Sequence, residues 1–198
     1  MLQEIGYVVE VLHAAAVGFV ILCWFVLCFA YLIHQPPPRP PERKRARGWE
    51  GGIILQALGY AAVWMEPRWR MRSPLALEFA GDLAAILLTG GSVWLAFTAV
   101  PRLGKQYGIA ARVVEGHQLV TSGPYRMMRH PIYAAMYGML LATGLALGRW
   151  SNLAVAILLF APGTAIRIFQ EERLLRETFG AEFEAYAKSV PAVLPRWF

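Results

Sequence analysis

The run from Glu115 to Tyr133, EGHQLVTSGPYRMMRHPIY, gathers the side chains of this sequence best suited to chemistry. It holds two imidazoles (His117, His130), two phenols (Tyr125, Tyr133) and the guanidinium of Arg129, and it places Arg129, His130 and Pro131 directly before an apolar run from Ile132 to about Gly148. Charged and aromatic groups crowded at the mouth of a membrane helix cost free energy unless something binds there, so ionisable groups in that position are functional-site candidates by default. A second set, Arg167, Glu171, Glu172 and Arg176, follows the last apolar run. Arg167 with Glu171, and Glu172 with Arg176, have the spacing of ordinary helix ion pairs, each contributing about 0.3–0.5 kcal/mol. Arg167 and Glu171, however, stand where a helix would leave the bilayer. A charge costs about 2.5–3.5 kcal/mol at the centre of a membrane and less at this depth, so either snorkelling or a bound ligand accounts for the placement.

These residues need elements to hold them, and composition says which kind. Of 198 residues 57% are hydrophobic and 16% charged, with mean hydropathy +0.43; ordinary soluble domains carry about 25% charged residues. The length suits one domain. A span takes about 20 apolar residues, and the sequence predicts five: Ile5–Ile33, Gly51–Met65 (short and Gly-rich), Phe79–Val100, Ile132–Gly148 and Leu153–Ile166. Gly148 to Asn152 reads as a tight turn that makes the last two spans a helical hairpin. The expected fold class is therefore all-α: a polytopic membrane protein of about five transmembrane helices, forming a single membrane domain over 1–198. Residues 1–100 would hold three N-terminal spans and 101–198 the half that carries the site. The first apolar run has no basic residue ahead of it and is too long for a signal-peptide core, so it reads as a retained span.

Basic residues orient this arrangement. With the N-terminus outside and the C-terminus cytoplasmic, 15 of the 19 Lys and Arg fall on the inner side, leaving Arg68, Arg70, Arg72 and Arg149 outside, the bias expected of inner loops. The Glu115–Tyr133 cluster and the C-terminal tail then share the cytoplasmic face. The net charge of +6 is accounted for by anionic lipid headgroups, and no nucleic-acid-binding motif is present. The loop Gln35–Arg47, QPPPRPPERKRAR, reads as an extended, polybasic inner loop. Cys23 and Cys28 sit on different faces of the first span, unsuited to a disulfide. His13, His34, His117 and His130 show no metal-ligand spacing, so no metal site is expected.

Beyond Ile166 the tail carries one stripe of Leu175, Phe179, Phe183 and Tyr186, with Gly180 as its weak point, which predicts a C-terminal amphipathic helix lying on the inner membrane face or folding back over the loop before the fourth span. Ala134 with Gly138, and Gly144 with Gly148, have small-xxx-small spacing and read as helix packing. Glu78 and Asp82 at the start of the third span, and Glu10 and His13 in the first, read as snorkelling or capping groups.

The ordered motifs HxLVxxGPYxxxRHPxY and EExxLxxxFGxxFxxY, joined by the apolar hairpin, resemble the isoprenylcysteine carboxyl methyltransferase family, part of a wider group with the phospholipid methyltransferases. The resemblance covers roughly Leu103 to Pro195. It implies an integral membrane methyltransferase that uses S-adenosylmethionine, held by His117, Leu119, Val120, Gly123, Tyr125, Arg129, His130, Pro131 and Tyr133 with Glu171 and Glu172. Arg167 would orient an acidic acceptor, and Tyr133 and Glu171 would join it as catalytic residues. The family often has a Trp-Ser pair after the positions of Leu103 and Gly104; here Gln106, Tyr107 and Gly108 stand instead, a departure that touches the acceptor's identity.

The residue types suit that chemistry. Displacement at a sulfonium methyl depends on alignment at about 3–3.5 Å, and aromatic faces such as Tyr125 and Tyr133 favour the cation by about 0.5–2 kcal/mol each. Glu171 and Glu172 offer acceptors for hydroxyls and an amino group, and Arg129, His130 or main-chain N–H groups offer donors for a carboxylate. Pro131 suits the first position of the fourth helix. The acceptor would be lipophilic and enter from the bilayer; a carboxylate of the isoprenylcysteine type comes first, with a phospholipid amine or a thiol as alternatives. A nicotinamide-dependent membrane reductase of related architecture is the second functional class, and a non-catalytic membrane protein the third. Ala- and Arg-rich usage points to a prokaryotic inner membrane.

Overall fold

The computed structural model describes residues 2–33, 41–45, 48–65, 75–110, 112–147 and 150–194. Most of the Pro-rich part of the 35–47 loop, together with Arg68, Arg70, Arg72, Gly148, Arg149 and Arg196, lies outside the described residues. Helices form where apolar runs predict them: α1 (Leu2–Ile33), α2 (Trp49–Trp64), α3 (Leu75–Leu103), α4 (Pro131–Leu147) and α5 (Trp150–Phe179), followed by α6 (Ala181–Ser189). Among the described residues three stretches are long and apolar enough to cross a membrane, Gly6–Phe29, Ala76–Gln106 and Trp150–Phe179. At 16 and 17 residues, α2 and α4 fall short of that length.

Two boundaries differ from expectation. The fifth helix does not stop near Ile166: α5 runs unbroken to Phe179, because helical hydrogen bonding continues across the change from apolar to polar sequence. At its other end Trp150, Ser151 and Asn152 form the first turn of α5 rather than a loop. The chain breaks at Gly180, whose φ of +52° suits a residue without Cβ. The predicted amphipathic stripe is therefore divided, Leu175 and Phe179 on α5 and Phe183 and Tyr186 on α6. The break folds α6 back over the loop before α4. There Phe183 is fully buried and Tyr186 donates its hydroxyl to the Tyr125 carbonyl at 2.6 Å.

Strands were not anticipated, yet β1 (Glu42–Arg45) and β2 (Arg112–Val114) pair antiparallel, with Lys44 opposite Val113 and Arg45 opposite Arg112. Segments this short carry no alternating pattern that could be read in advance. The ribbon joins the segment before α2 to the segment between α3 and α4.

Close approach of helices rests on glycine. An added Cβ on Gly52 of α2 would lie 2.8 Å from the Gly163 carbonyl of α5, and one on Gly163 would lie 2.8 Å from the Gly52 carbonyl. Gly59 meets Ala156 and Phe160 in the same way. The Gly content that makes α2 look weak as a span is what lets it lie backbone-to-backbone on α5. As expected from their spacing, Gly138 packs against Ser92 of α3 and Gly144 against Leu153 of α5. Trp24, Tyr60 and Phe160 stack edge to face, with centroids 4.9 and 5.1 Å apart, tying α1 to α2 and α5. Cys23 and Cys28 are free thiols.

The reading of Asp82 and His13 as snorkelling groups is corrected. Asp82 is 2% exposed and lies 2.9 Å from His13 Nδ1, because α1 and α3 pack side by side and turn both residues inward. A carboxylate removed from water needs a hydrogen-bonding partner, and α1 supplies it.

Gly163→Val should push α2 from α5 and lower stability by about 1–3 kcal/mol, the usual cost of overpacking, read as a lower melting temperature in detergent. Gly91→Ala, whose added Cβ meets nothing within 4 Å, should leave the melting temperature unchanged. Equal effects from both would discard the close-approach account.

Candidate active site

The chain between α3 and α4 folds as a series of short turns. Gly123 has φ of +61° and opens a 3-10 turn, Gly123–Arg126, with Pro124 at its start. Pro131 then begins α4, where its missing N–H leaves no hydrogen bond unmade. The two residues between are fixed through their backbone: the Arg129 N–H donates to the Pro191 carbonyl and the His130 N–H to the Ala192 carbonyl, each at 2.8 Å. The C-terminal tail thus lies against the entry to α4.

Side chains complete the clamp. Arg129 donates from Nε and Nη2 to Glu172 Oε1 at 2.9 and 2.7 Å, and from Nη1 to the carbonyls of Ala187, at 2.9 Å, and Val190. His130, 6% exposed, lies between two carboxylates, 3.2 Å from Glu172 and 3.4 Å from Glu171. Arg176 adds a 3.1 Å contact to the other oxygen of Glu172. Tyr133 donates its hydroxyl to Glu171. Burial disfavours the charged form of His130, but the hydrogen bonds and charges of Glu171 and Glu172 outweigh it and hold the imidazole above its ordinary value of 6.5. His117 has no such carboxylates, and burial alone pushes it below 6.5.

Arg167 does not pair with Glu171 as helix spacing suggests. Its Nη1 donates to Gln56 Oε1 at 2.7 Å and its Nη2 to the Ile109 carbonyl at 2.6 Å, while the guanidinium carbon stands 4.9 Å from the centre of the Tyr133 ring. Glu172 with Arg176 does form the expected pair.

These groups surround a cavity of about 350 Å³. Of the predicted residues, His117, Leu119, Val120, Tyr125, Arg129, His130, Pro131, Tyr133, Arg167 and Glu171 line it. Gly123 and Glu172 do not. Gly123 shapes the turn, and an added Cβ there would lie 3.3 Å from the Arg102 guanidinium. Glu172 faces the clamp. Arg129 reaches the wall, with its Nε, Nη1 and Nη2 donating to Glu172 and the tail carbonyls.

Sequence reasoning missed several contributors. Gln56 holds Arg167 from α2; a lone amide in an apolar helix was the available signal. Ile109 and Arg112 continue the wall begun by Gln106, Tyr107 and Gly108, the residues that depart from the family pattern. Burial pushes the Tyr107 hydroxyl up to about 12, against the opposing charge of Arg167, so it stays a neutral donor. A second cavity of about 140 Å³, wholly apolar, lies between α1, α2 and α4 against Trp24, Leu27, Cys28, Tyr60, Met136 and Met139. Met136 lines both cavities.

The donor set suits a zwitterionic, aromatic-bearing ligand. Carboxylate, guanidinium, imidazole and phenol groups stand among apolar walls, as in small-molecule sites generally.

A sequence profile of the phospholipid methyltransferase family matches residues 81–182. The nickel-cobalt-cadmium resistance protein NccN of Alcaligenes xylosoxydans xylosoxydans is 34% identical over 58% of this chain and 52% of its own length. The cobalt-zinc-cadmium resistance protein CzcN of Cupriavidus metallidurans is 35% identical over 58% and 51%. The protein-S-isoprenylcysteine O-methyltransferase of Schizosaccharomyces pombe is 31% identical over 52% and 44%. The chain spans about half the length of the curated relatives it matches.

The His130 clamp predicts a pH dependence. Its pKa is raised in the folded protein, so its contribution to stability is complete below its unfolded value, about 6.5, and is lost as pH rises through the folded value. The melting temperature should fall as pH rises above about 6.5, and His130→Gln should give a lower and flatter profile. A wild-type melting temperature that climbs across the same range would contradict the pairing.

Proposed function

This chain belongs to the phospholipid methyltransferase family, and we propose that it transfers a methyl group from S-adenosylmethionine to a carboxylate of a lipophilic, membrane-embedded acceptor. When bound, the cofactor supplies a methyl group on a sulfonium, which an acceptor oxygen attacks while the carbon–sulfur bond breaks and its electron pair returns to sulfur. No proton moves, so a carboxylate acceptor needs no general base.

The protein's part is positioning and charge. Glu171, held by Tyr133 and His130, accepts hydrogen bonds from the cofactor's amino group. Tyr125 and Tyr133 present aromatic surface to its cationic end, and Leu119 and Val120 with His117 enclose the remainder. Arg167 binds the acceptor carboxylate. Gln56 and the Ile109 carbonyl pin its guanidinium, so little orientational freedom remains to be lost when the acceptor arrives. The single observation that carries this reading is Arg167: a guanidinium 8% exposed, on the cavity wall and stacked on Tyr133. A buried fixed cation favours a carboxylate over an ammonium acceptor. The adjoining apolar cavity, reached past Met136, would take the acceptor's hydrocarbon. The whole chain would act as one membrane domain in a prokaryotic inner membrane, with the site open to the cytoplasm, where the cofactor is.

The test is a titration of detergent-purified protein with S-adenosylhomocysteine and, separately, NADPH. Saturable binding of the thioether alone supports the methyltransferase; binding of NADPH alone would replace it with a reductase. Arg167→Ala should keep homocysteine-product binding and lower methyl transfer to an isoprenylcysteine analogue by about 10²-fold, the scale of lost orientation. Equal loss of binding and turnover would remove its acceptor role.

A further inference from the structure

The cofactor carries an α-carboxylate, and the clamp described above leaves the cations first expected to hold it already engaged. Arg129 is bound through Nε, Nη1 and Nη2 to Glu172 and to two tail carbonyls, and His130 is shared between Glu171 and Glu172. Arg167, given above to the acceptor carboxylate, is held over Tyr133 by Gln56 and Ile109. One further guanidinium lines the cavity, that of Arg112 on β2. Its Nη2 donates to the Tyr107 carbonyl at 3.2 Å. Its Nε is buried and has no hydrogen-bond partner among the described residues.

We propose that Arg112 holds the α-carboxylate of the cofactor, an assignment that rests on the methyltransferase reading. A buried guanidinium N–H left unpaired is costly, and an anionic ligand oxygen removes that cost. Guanidinium and carboxylate also match as planar, two-point partners. Two local features keep Arg112 in place. The β1–β2 ribbon fixes its backbone opposite Arg45, and Gly108 leaves room for its head: an added Cβ there would lie 2.8 Å from Arg112 Nε and 3.3 Å from Cζ. The charges then divide by role, Arg112 for the cofactor carboxylate, Glu171 for its amino group and Arg167 for the acceptor. A basic residue that looks like a topology determinant is thereby a specificity residue, and the Gly108 departure from the family pattern is the space that its side chain occupies.

The experiment compares S-adenosylhomocysteine with its decarboxylated analogue, the aminopropyl thioether of adenosine, by titration of detergent-purified wild type, Arg112→Gln and Gly108→Ala. Wild type should bind the carboxylate-bearing ligand at least tenfold more tightly. Arg112→Gln should lose that preference while binding the decarboxylated analogue as wild type does. Gly108→Ala, which displaces the guanidinium and keeps its charge, should reduce the preference, and it carries the same test if Arg112→Gln does not fold. A preference retained in both variants, or an equal weakening of both ligands, overturns the assignment. If wild type binds neither thioether, the methyltransferase reading falls first and the role of Arg112 with it.

Discussion

The site depends on one buried carboxylate. Glu172, 7% exposed, accepts from Arg129 twice, from His130 and from Arg176. A lone carboxylate in this position would be prohibitive, and removing one partner from a buried ion pair typically costs about 3–5 kcal/mol. The network therefore forms whole. It fixes α5, the residues that open α4 and, through the Ala187 and Val190 carbonyls on Arg129, the end of α6. Three segments that are distant in sequence become one wall because a single charge must be satisfied.

That constraint explains why two adjacent glutamates have different uses. Successive residues on an α-helix are about 100° apart. With Glu172 facing the clamp, Glu171 is turned toward the cavity, where Tyr133 and His130 orient it. The clamp also consumes Arg129, the most conspicuous cation of the entry motif. The other guanidiniums on the cavity wall come from outside that motif, Arg112 on the ribbon and Arg167 on α5. Glu172 in the clamp and Glu171 on the cavity wall thus stand one residue apart.

Much of this was legible in the sequence. The apolar runs located five helices, and the motif before α4 together with Glu171 marked residues that line the cavity. The packing glycines Gly138 and Gly144 were also readable, since each follows from local spacing, and Gly180 stood out as a weak point though not as the end of a helix. What stayed hidden depends on long-range placement. Glu171 and Glu172 look alike in a string, and only the packing of α5 on the α4 entry separates them. Asp82 has the sequence context of a snorkelling group, and only the adjacency of α1 and α3 gives it His13. The end of α5 was misplaced because hydropathy marks where a helix leaves apolar surroundings, whereas the helix itself ends where its backbone turns, at Gly180.

The N-terminal half contributes more than apolar spans. Arg167 is positioned by Gln56, and Gln56 reaches it because Gly52 and Gly163 let α2 and α5 approach backbone to backbone. α2 lies outside residues 81–182, which the family profile matches. The apolar cavity beside Met136 is likewise walled by Trp24, Leu27, Cys28 and Tyr60, all outside that span. The cavity-lining groups His117, Tyr125, His130, Tyr133 and Glu171 all lie inside it, as do Arg112 and Arg167. The matched segment carries most of the polar lining of the larger cavity, and α1 and α2 add the wall of the apolar one and the amide that orients Arg167. The Glu172 clamp takes no partner from α1 or α2, so substitutions in those helices leave its hydrogen bonds in place.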